Sequence, residues 1–379
     1  KHDIRALANV IRSKVSDEAK PFVHFSATSY DIVDTARALQ FKEAAQYAMI
    51  PILVELEKVL MEMALREKDT VQMGRTHGQH AEPITFGYFI AHYVSRLGNR
   101  IQALQRTSMQ LNGKFSGAVG TYNASSLLVK DPLQLEKQIM QELGLSVSLS
   151  STQIAEPEAL TDYMHALVTT FGVLADLSDD MRHLQRSEIA EVGEAFEQQQ
   201  VGSSTMPHKR NPINFENVKS FWKAFMPRMI SVYMDQLSEH QRDLTNSASQ
   251  RFLPELMVAL YASTHRIART LKKMRVDATN TKRNFDQSKH HVLAEPLYIL
   301  LASHGHPDAH EAVRKLTLRS QQEKASVLEL ALADTELKSY VERFSPEQKS
   351  ILENPEKYVG VAPQKTEQIV QHWKNELKM

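Results

Sequence analysis

Two short stretches carry side chains that could do chemistry: GSSTMPHKRNPINFEN at residues 202–217 and GRTHGQHAEP at 74–83. The first gathers the hydroxyls of Ser203 and Ser204, the cation of Lys209 and the amide of Asn211, with no apolar periodicity before Phe215. The second holds His77 and His80 among Gly74, Gly78 and Pro83, which discourage a continuous helix. An imidazole changes charge near neutrality, so these histidines could be an acid/base pair, ligands of a two-His metal site, or structural groups in a loop. A metal site wants a further ligand, and no HExxH is present. The serine-rich stretch departs from the G-x-x-x-x-G-K-[ST] spacing of a P-loop and lacks the G-x-S-x-G elbow of a hydrolase. Lys209-Arg210 is weaker still as a targeting signal. If the stretch is functional, it supplies a hydroxyl, a cation and an amide to a substrate carried elsewhere in the structure.

Two more polar segments stand beside apolar-periodic runs. HFSATSYDIVDTA (24–36) offers Ser26, Thr28 and Ser29 at a helix start, where hydroxyls and free N–H groups suit a carboxylate or phosphate, or simply cap the helix. SSTQIAEPEALTDYM (150–164) puts Gln153 just before a long helix, where an amide could read a carboxylate or a purine edge, or act as a cap.

Something long and regular must position these segments. The chain has 379 residues with only 13 Gly and 14 Pro, and its apolar residues recur mostly at three and four, which predicts an all-α architecture. From Pro51, Ile52, Leu53, Leu56, Val59, Leu60 and Met63 form one stripe, and Pro51 can sit in a first turn or kink a longer helix. Phe86, Phe89, Ile90, Tyr93, Val94, Leu97, Ile101 and Leu104 form a second. Leu160, Met164, Leu167, Phe171, Leu174, Met181 and Leu184 form a third, over 159–185. Further helices are expected over about 215–237 and 254–271. Together these predict a bundle of long helices whose faces also meet other subunits. We divide the chain into the remainder of an N-terminal helical domain (1–28), a central bundle (29–281) and a small C-terminal helical domain (282–379). Ser345-Pro346-Glu347-Gln348 reads as a capping box that serves folding.

Composition narrows the function. Lys+Arg and Asp+Glu are equal at 45 each and the basic residues form no block, which argues against a nucleic-acid or membrane-surface role and for a small-molecule partner. There is no cysteine, hence no thiolate nucleophile or Cys-ligated zinc, which suits a cytoplasmic protein. No apolar run approaches the roughly 18 residues of a membrane span, so a soluble chain is expected.

GSSTMPHKRNP resembles the signature of the fumarase/aspartase superfamily, whose members eliminate fumarate from a succinyl-bearing substrate. GRTHGQHAEPITFG, HFSATSYDIVDTA, the STQ before the long helix and SEHQRDLTNSASQRFLP (238–254) narrow the resemblance to the branch that acts on succinylated purine nucleotides. It runs from His2 to about residue 295. It implies a three-domain helical subunit, a homotetramer with active sites shared between subunits, no cofactor and no metal. It also implies an anti β-elimination, in which a base takes the Cβ proton, a carboxylate receives the charge, and an acid protonates the departing nitrogen.

By the same resemblance the base is Ser203, with Ser204 as the local alternative, on a loop with Gly202, Met206 and Pro207 that closes over the substrate. His77 is the general acid, and His2 orients or helps protonate the leaving nitrogen. Lys209 and Asn211 hold the carboxylate whose charge grows. Thr28, Ser29 and Gln153 hold the succinyl group. Ser247 and Arg251 match phosphate-binding positions, Arg242 assists, and His24 contacts the phosphate. The sequence departs from the family's pattern at Lys1, where Arg is common, and at Asn246, where relatives carry His. It also starts inside the family's first domain, without a preceding segment that supplies Arg and Tyr to the phosphate. A sibling lyase or a 3-carboxymuconate cycloisomerase shares the signature loop, but the cycloisomerase lacks the histidine at the position of His77. A non-enzymatic structural homologue is disfavoured by His77, Ser203 and Lys209 standing together.

Overall fold

Pro51 falls inside a helical run, where it cannot give the backbone hydrogen bond that an α-helix needs. The computed structural model describes residues 3–195, 206, 209–243 and 245–379. After α1 (Asp3–Arg12), α2 (Ser29–Ala44) passes through a π turn at Ala45–Met49 directly into α3 (Ile50–Arg66). The Ile50 N–H reaches back to the Ala45 carbonyl, one residue further than in an α-helix. A π turn takes up one extra residue, so the helix continues past the missing donor.

The chain then forms β1 (Val71–Thr76) and β2 (Gln79–Thr85), an antiparallel pair, followed by α4 (Phe86–Gln110). The long helices α5 (Pro132–Glu142) and α6 (Glu158–Leu184) come next, then α7 (Ile213–Phe225), α8 (Arg228–Met234) and α9 (Leu253–Lys273). Beyond α10 (Ala278–Ser288) no helix is longer than the 15 residues of Ala309–Glu323 and Ala362–Glu376. The remaining strands are pairs of two residues, Asn112–Gly113 with Ser146–Val147 and Val192–Gly193 with Arg275–Val276. The fold is all-α, as the periodicity predicts.

One expectation needs correction. The apolar spacing predicts a single helix over 215–237, but α7 ends at Phe225 and α8 begins at Arg228. Pro227 lies between them, and its ring and missing N–H end a helix that the spacing alone would continue.

The chain forms two compact units. One comprises Lys1–Leu56, Leu97–Asp176 and Asn217–Ala268; the other comprises Glu57–Arg96, Leu177–Glu216 and Arg269–Met379. In the first, Leu53, Leu56, Ile101, Leu104, Leu167, Phe171 and Leu260 are buried. A buried ion pair, Asp31 with Lys114, ties α2 to the loop after α4. The Asp31 Oδ1 also accepts from the N–H groups of Ser116 (3.1 Å) and Gly117 (3.2 Å), and Oδ2 from Thr28 N–H (2.7 Å). In the second unit, Leu60, Met63, Phe86, Ile90 and Tyr93 are buried, and a separate cluster of Leu297, Leu301, Val313, Leu330, Val341 and Phe344 organises the C-terminal helices. The predicted capping box is present there: Gln348 N–H donates to Ser345 Oγ (3.2 Å) and Ser345 N–H to Gln348 Oε1 (2.8 Å).

Glu57 stands out on α3. It is fully buried, and neither carboxyl oxygen has a hydrogen-bond partner. Burial therefore pushes its pKa well above the ordinary value of 4.5. The folded chain keeps a proton that the unfolded chain releases above 4.5, so this group costs stability increasingly as pH rises through that window. Replacing Glu57 with Met is expected to raise the thermal midpoint, with a larger gain over the parent at pH 8 than at pH 5. A gain of equal size at both values, or a loss, would contradict this. The Asp31–Lys114 pair predicts the opposite response. Lys114→Met, which strands a buried carboxylate, should cost about 3–5 kcal/mol in a denaturation titration. Adding Asp31→Asn should recover part of that loss; a double variant as unstable as the sum of the singles would contradict the pairing.

Candidate active site

The GRTHGQHAEP segment, read as a non-helical loop, forms the β1–β2 hairpin. Thr76 pairs with Gln79, so His77 and Gly78 are the two residues of the turn. Their φ angles are 53° and 74°, the left-handed pair that matches the twist of a two-residue hairpin. Gly tolerates this backbone freely, whereas His adopts it at a cost. His77 is held, exposed, at the tip.

His80 has a different environment. It is half-buried, and its Nδ1 lies 2.6 Å from Ser288 Oγ. Burial and the nearby Arg75 lower its pKa, partly offset by Glu191. His80 is thus held by a partner within the fold, whereas His77 stands at the exposed tip. Among the described residues no group of three or more His, Asp or Glu side chains could hold a metal ion.

The hairpin's root is bound to Glu191, whose side chain is fully buried. Glu191 accepts from Gln72 Nε2 (2.7 Å), Arg75 Nη2 (2.8 Å) and Asn284 Nδ2 (2.8 Å). Beside it, in the same unit, a cleft of about 700 Å³ is lined by Arg75, Gly78, His80, His183 and Arg186, with Asp180 and Glu188 as the acidic residues.

The signature stretch falls partly outside the described residues: Gly202, Ser203, Ser204 and Pro207 lie there, as does His2. Its described part contains Met206, Lys209 and Asn211. Lys209 is exposed, and its N–H donates to the Met206 carbonyl (3.0 Å). The stretch adjoins a helix start capped from a distance. Glu194 accepts from the N–H groups of Asn214 (2.9 Å) and Phe215 (3.1 Å) and from Asn214 Nδ2 (2.6 Å). Gln185 joins both flanks, donating to the Arg210 carbonyl (3.2 Å) and accepting from Glu194 N–H (3.1 Å).

The other unit gathers a second group of predicted residues. Thr28 caps α2 and Ser29 is its first residue, with His24 and Ser26 just before it in left-handed backbone (φ 62° and 53°). Tyr30, next to Ser29, lies under the Arg242 guanidinium, 3.5 Å from its carbon to the ring centroid, and its hydroxyl accepts from Arg242 Nη2 (2.5 Å). The Arg242 Nη1 is buried with no hydrogen-bond partner. Gln153 N–H donates to the Gln241 carbonyl (3.2 Å), bringing the STQ segment to the same place. Arg251 is exposed on a 3₁₀ turn (Ser249–Arg251), and Arg37 Nη1 donates to Gln250 Oε1 (2.9 Å) within that turn. Ser247 is half-buried in the preceding turn. Thr28, Ser29, Gln153 and Arg242 are thus drawn together, and the Ser247–Arg251 segment is anchored to α2 through Arg37.

Beneath these segments is a chamber of about 60 Å³ lined by Asp34, Arg37, Asn112, Asp235, Asn246 and Gln250, room for a few waters. Burial raises the pKa of Asp34, against the Ala155 N–H and Arg37, and that of Asp235, against the Ser249 hydroxyl.

Sequence reasoning missed several residues that hold this arrangement: Tyr30, Asp31, Lys114, Glu191 and Asn284. One signal was available. GKFSGAVG (113–120) is glycine-dense, and its Gly120 (φ 78°) passes so close to the Ser151 carbonyl that a Cβ there would lie 1.9 Å from the oxygen. The Ser116 and Ser151 hydroxyls, 2.6 Å apart, join this loop to the segment carrying Gln153.

The chain resembles known proteins along most of its length. A model of a lyase family matches residues 2–224, and a model of the adenylosuccinate lyase C-terminal region matches residues 238–351. The chain is 37% identical over 375 residues to adenylosuccinate lyase of Pyrococcus abyssi, covering 98% of this chain and 81% of that protein. It is 35% identical over 381 residues to adenylosuccinate lyase of Archaeoglobus fulgidus, covering 100% and 83%. The fold is similar to that of 3-carboxy-cis,cis-muconate lactonizing enzyme from Pseudomonas putida, with a TM-score of 0.85, 26% identity and coverage of 99% of this chain and 82% of that one. The chain belongs to the adenylosuccinate lyase family of the fumarase/aspartase superfamily.

Proposed function

We propose that the chain cleaves adenylosuccinate to AMP and fumarate, and cleaves the succinyl-carboxamide ribotide of purine synthesis in the same way. The observation that carries this is the joint match to a lyase family over 2–224 and to the adenylosuccinate lyase C-terminal region over 238–351. The polar segments within those ranges hold the groups that the elimination requires.

In this reading Ser203 removes the Cβ proton, with backbone N–H groups and nearby cations stabilising its alkoxide. Lys209 and Asn211 hold the carboxylate that accumulates charge as the C–H bond breaks. His77 gives its proton to the departing purine nitrogen, with His2 orienting that nitrogen. The exposure of His77 at a hairpin tip supports the role, since a general acid must reach its substrate. Thr28, Ser29 and Gln153 bind the succinyl group, Thr28 and Ser29 standing at the start of α2, where the helix end favours negative charge. The unpartnered Nη1 of Arg242 supports a place for that residue beside an anion. Ser247, Arg251 and His24 take the nucleotide phosphate.

Self-association into a homotetramer with shared sites is part of the proposal. Ile230, Met234, Leu237 and Val258, on or next to α8 and α9, are 62%, 65%, 75% and 67% exposed, which supports a face covered by another subunit. A cytoplasmic location fits a chain without cysteine. Among the described residues no helix is long and apolar enough to cross a membrane.

The direct test incubates the purified protein with each succinylated nucleotide and follows fumarate formation and loss of the succinyl-purine absorbance. Turnover of adenylosuccinate is expected; turnover of neither substrate would sink the assignment. His77→Ala and Ser203→Ala should each keep the oligomeric state by light scattering while losing about 10²–10⁴-fold in kcat. A near-parental rate for Ser203→Ala would transfer the base to Ser204 or another group.

A further inference from the structure

Glu191 is held more tightly than its place in a connecting segment requires. Its N–H donates to the Leu184 carbonyl (3.0 Å), and its own carbonyl accepts from Asp277 N–H (2.8 Å). The residue before it, Ala190, has φ 51°, a left-handed backbone that an alanine adopts at a cost. That turn sends the Glu191 carboxylate inward, to full burial, where it meets Gln72 and Arg75 of β1 and Asn284 of α10. Asn284 also donates to the Ile189 carbonyl (2.7 Å), so the same amide fixes the segment leading to the carboxylate.

The arrangement is expensive. It desolvates a charge, strains Ala190 and leaves Gln72 Oε1 buried without a partner. What it fixes is the root of the hairpin. The register slips between Met73 and Arg75, and a Cβ on Gly74 would lie 2.6 Å from the Glu82 carbonyl, so the strand is bulged just where Arg75 leaves it. Bulges redirect side chains. Arg75 spans the bulge, donating to the Met73 carbonyl (3.2 Å) with one nitrogen and to Glu191 (2.8 Å) with another. The exposed tip, Thr76-His77-Gly78-Gln79, follows directly. Its orientation is inherited from the strand below.

We propose that Glu191 is the positioning residue of the His77 turn: through Arg75, Gln72 and Asn284 it sets where the His77 imidazole stands. Glu191 transfers no proton; it acts through the hairpin. The importance of that placement for catalysis rests on the role of His77 proposed above.

The test uses the full chain and the variants Glu191→Gln, Glu191→Asp, Arg75→Gln, the double variant Arg75→Gln with Glu191→Gln, and Asn284→Ala. It measures kcat and KM on adenylosuccinate, the pH profile of kcat/KM, and the His77 ring signal in protein carrying 13Cε1-labelled histidine, assigned by His77→Ala. Glu191→Gln should lower kcat about 10–100-fold, the scale of losing a supporting partner. KM should change little, and the His77 signal should move. Glu191→Asp, which keeps the charge, should recover part of the rate, and the double variant should lose less than the two singles combined. If Glu191→Gln does not fold, Asn284→Ala keeps the ion pair and should shift the same signal by a smaller amount. A folded variant whose His77 signal and kcat match the parent overturns the proposal, as does a lowered kcat with an unmoved His77 signal. A parent protein that does not turn over adenylosuccinate sinks the functional reading instead, and the ring signal still decides whether Glu191 positions the turn.

Discussion

A carboxylate taken out of water must be met by donors, and that constraint organises the polar parts of this molecule. Asp31 and Glu191 are both buried, and each draws its donors from segments far apart in sequence. Asp31 ties the start of α2 to the glycine-rich loop after α4. Glu191 ties the hairpin to α10. The apolar stripes make long helices that pack, but they do not say where a loop between two helices points. The buried carboxylates do, since each satisfied hydrogen bond removes one way in which a neighbouring loop could move.

Part of the backbone strain falls in the same segments. Of the eight non-glycine residues with positive φ among the described residues, four, His24, Ser26, His77 and His240, lie in polar segments singled out for their chemistry. Each costs free energy that glycine would not, so the packing around it must hold it there. At His77 the reason is visible. The turn has left-handed backbone at both positions, as type I′ requires, and His77 occupies one of them.

Much of the scaffold was legible in the sequence. The stripe from Ile52 to Met63 is buried as its spacing predicts, α6 spans nearly the predicted range, and the Ser345–Gln348 capping box is in place. The break at Pro227 was not read, since apolar spacing continues across it to Met229 and periodicity outweighed one proline. The hairpin was expected only as a non-helical stretch, because Gly74, Gly78 and Pro83 signal interruption without specifying a strand pair. The separate segments bearing Thr28, His77, Gln153 and Arg242 were each visible as polar intervals between apolar runs. The residues that hold them, Asp31, Lys114 and Glu191, have partners more than eighty residues away or in another element, and no local pattern marks such pairs.

The central claim is that these dispersed segments serve one succinylated nucleotide, and a crystal structure of the protein with AMP and fumarate tests it most directly. The account predicts the phosphate on Ser247 and Arg251, the fumarate carboxylates on Thr28, Ser29 and Gln153 and on Lys209 and Asn211, and the His77 ring within hydrogen-bond reach of the purine amine. AMP and fumarate bound away from these residues, or His77 turned away from the amine, would contradict it.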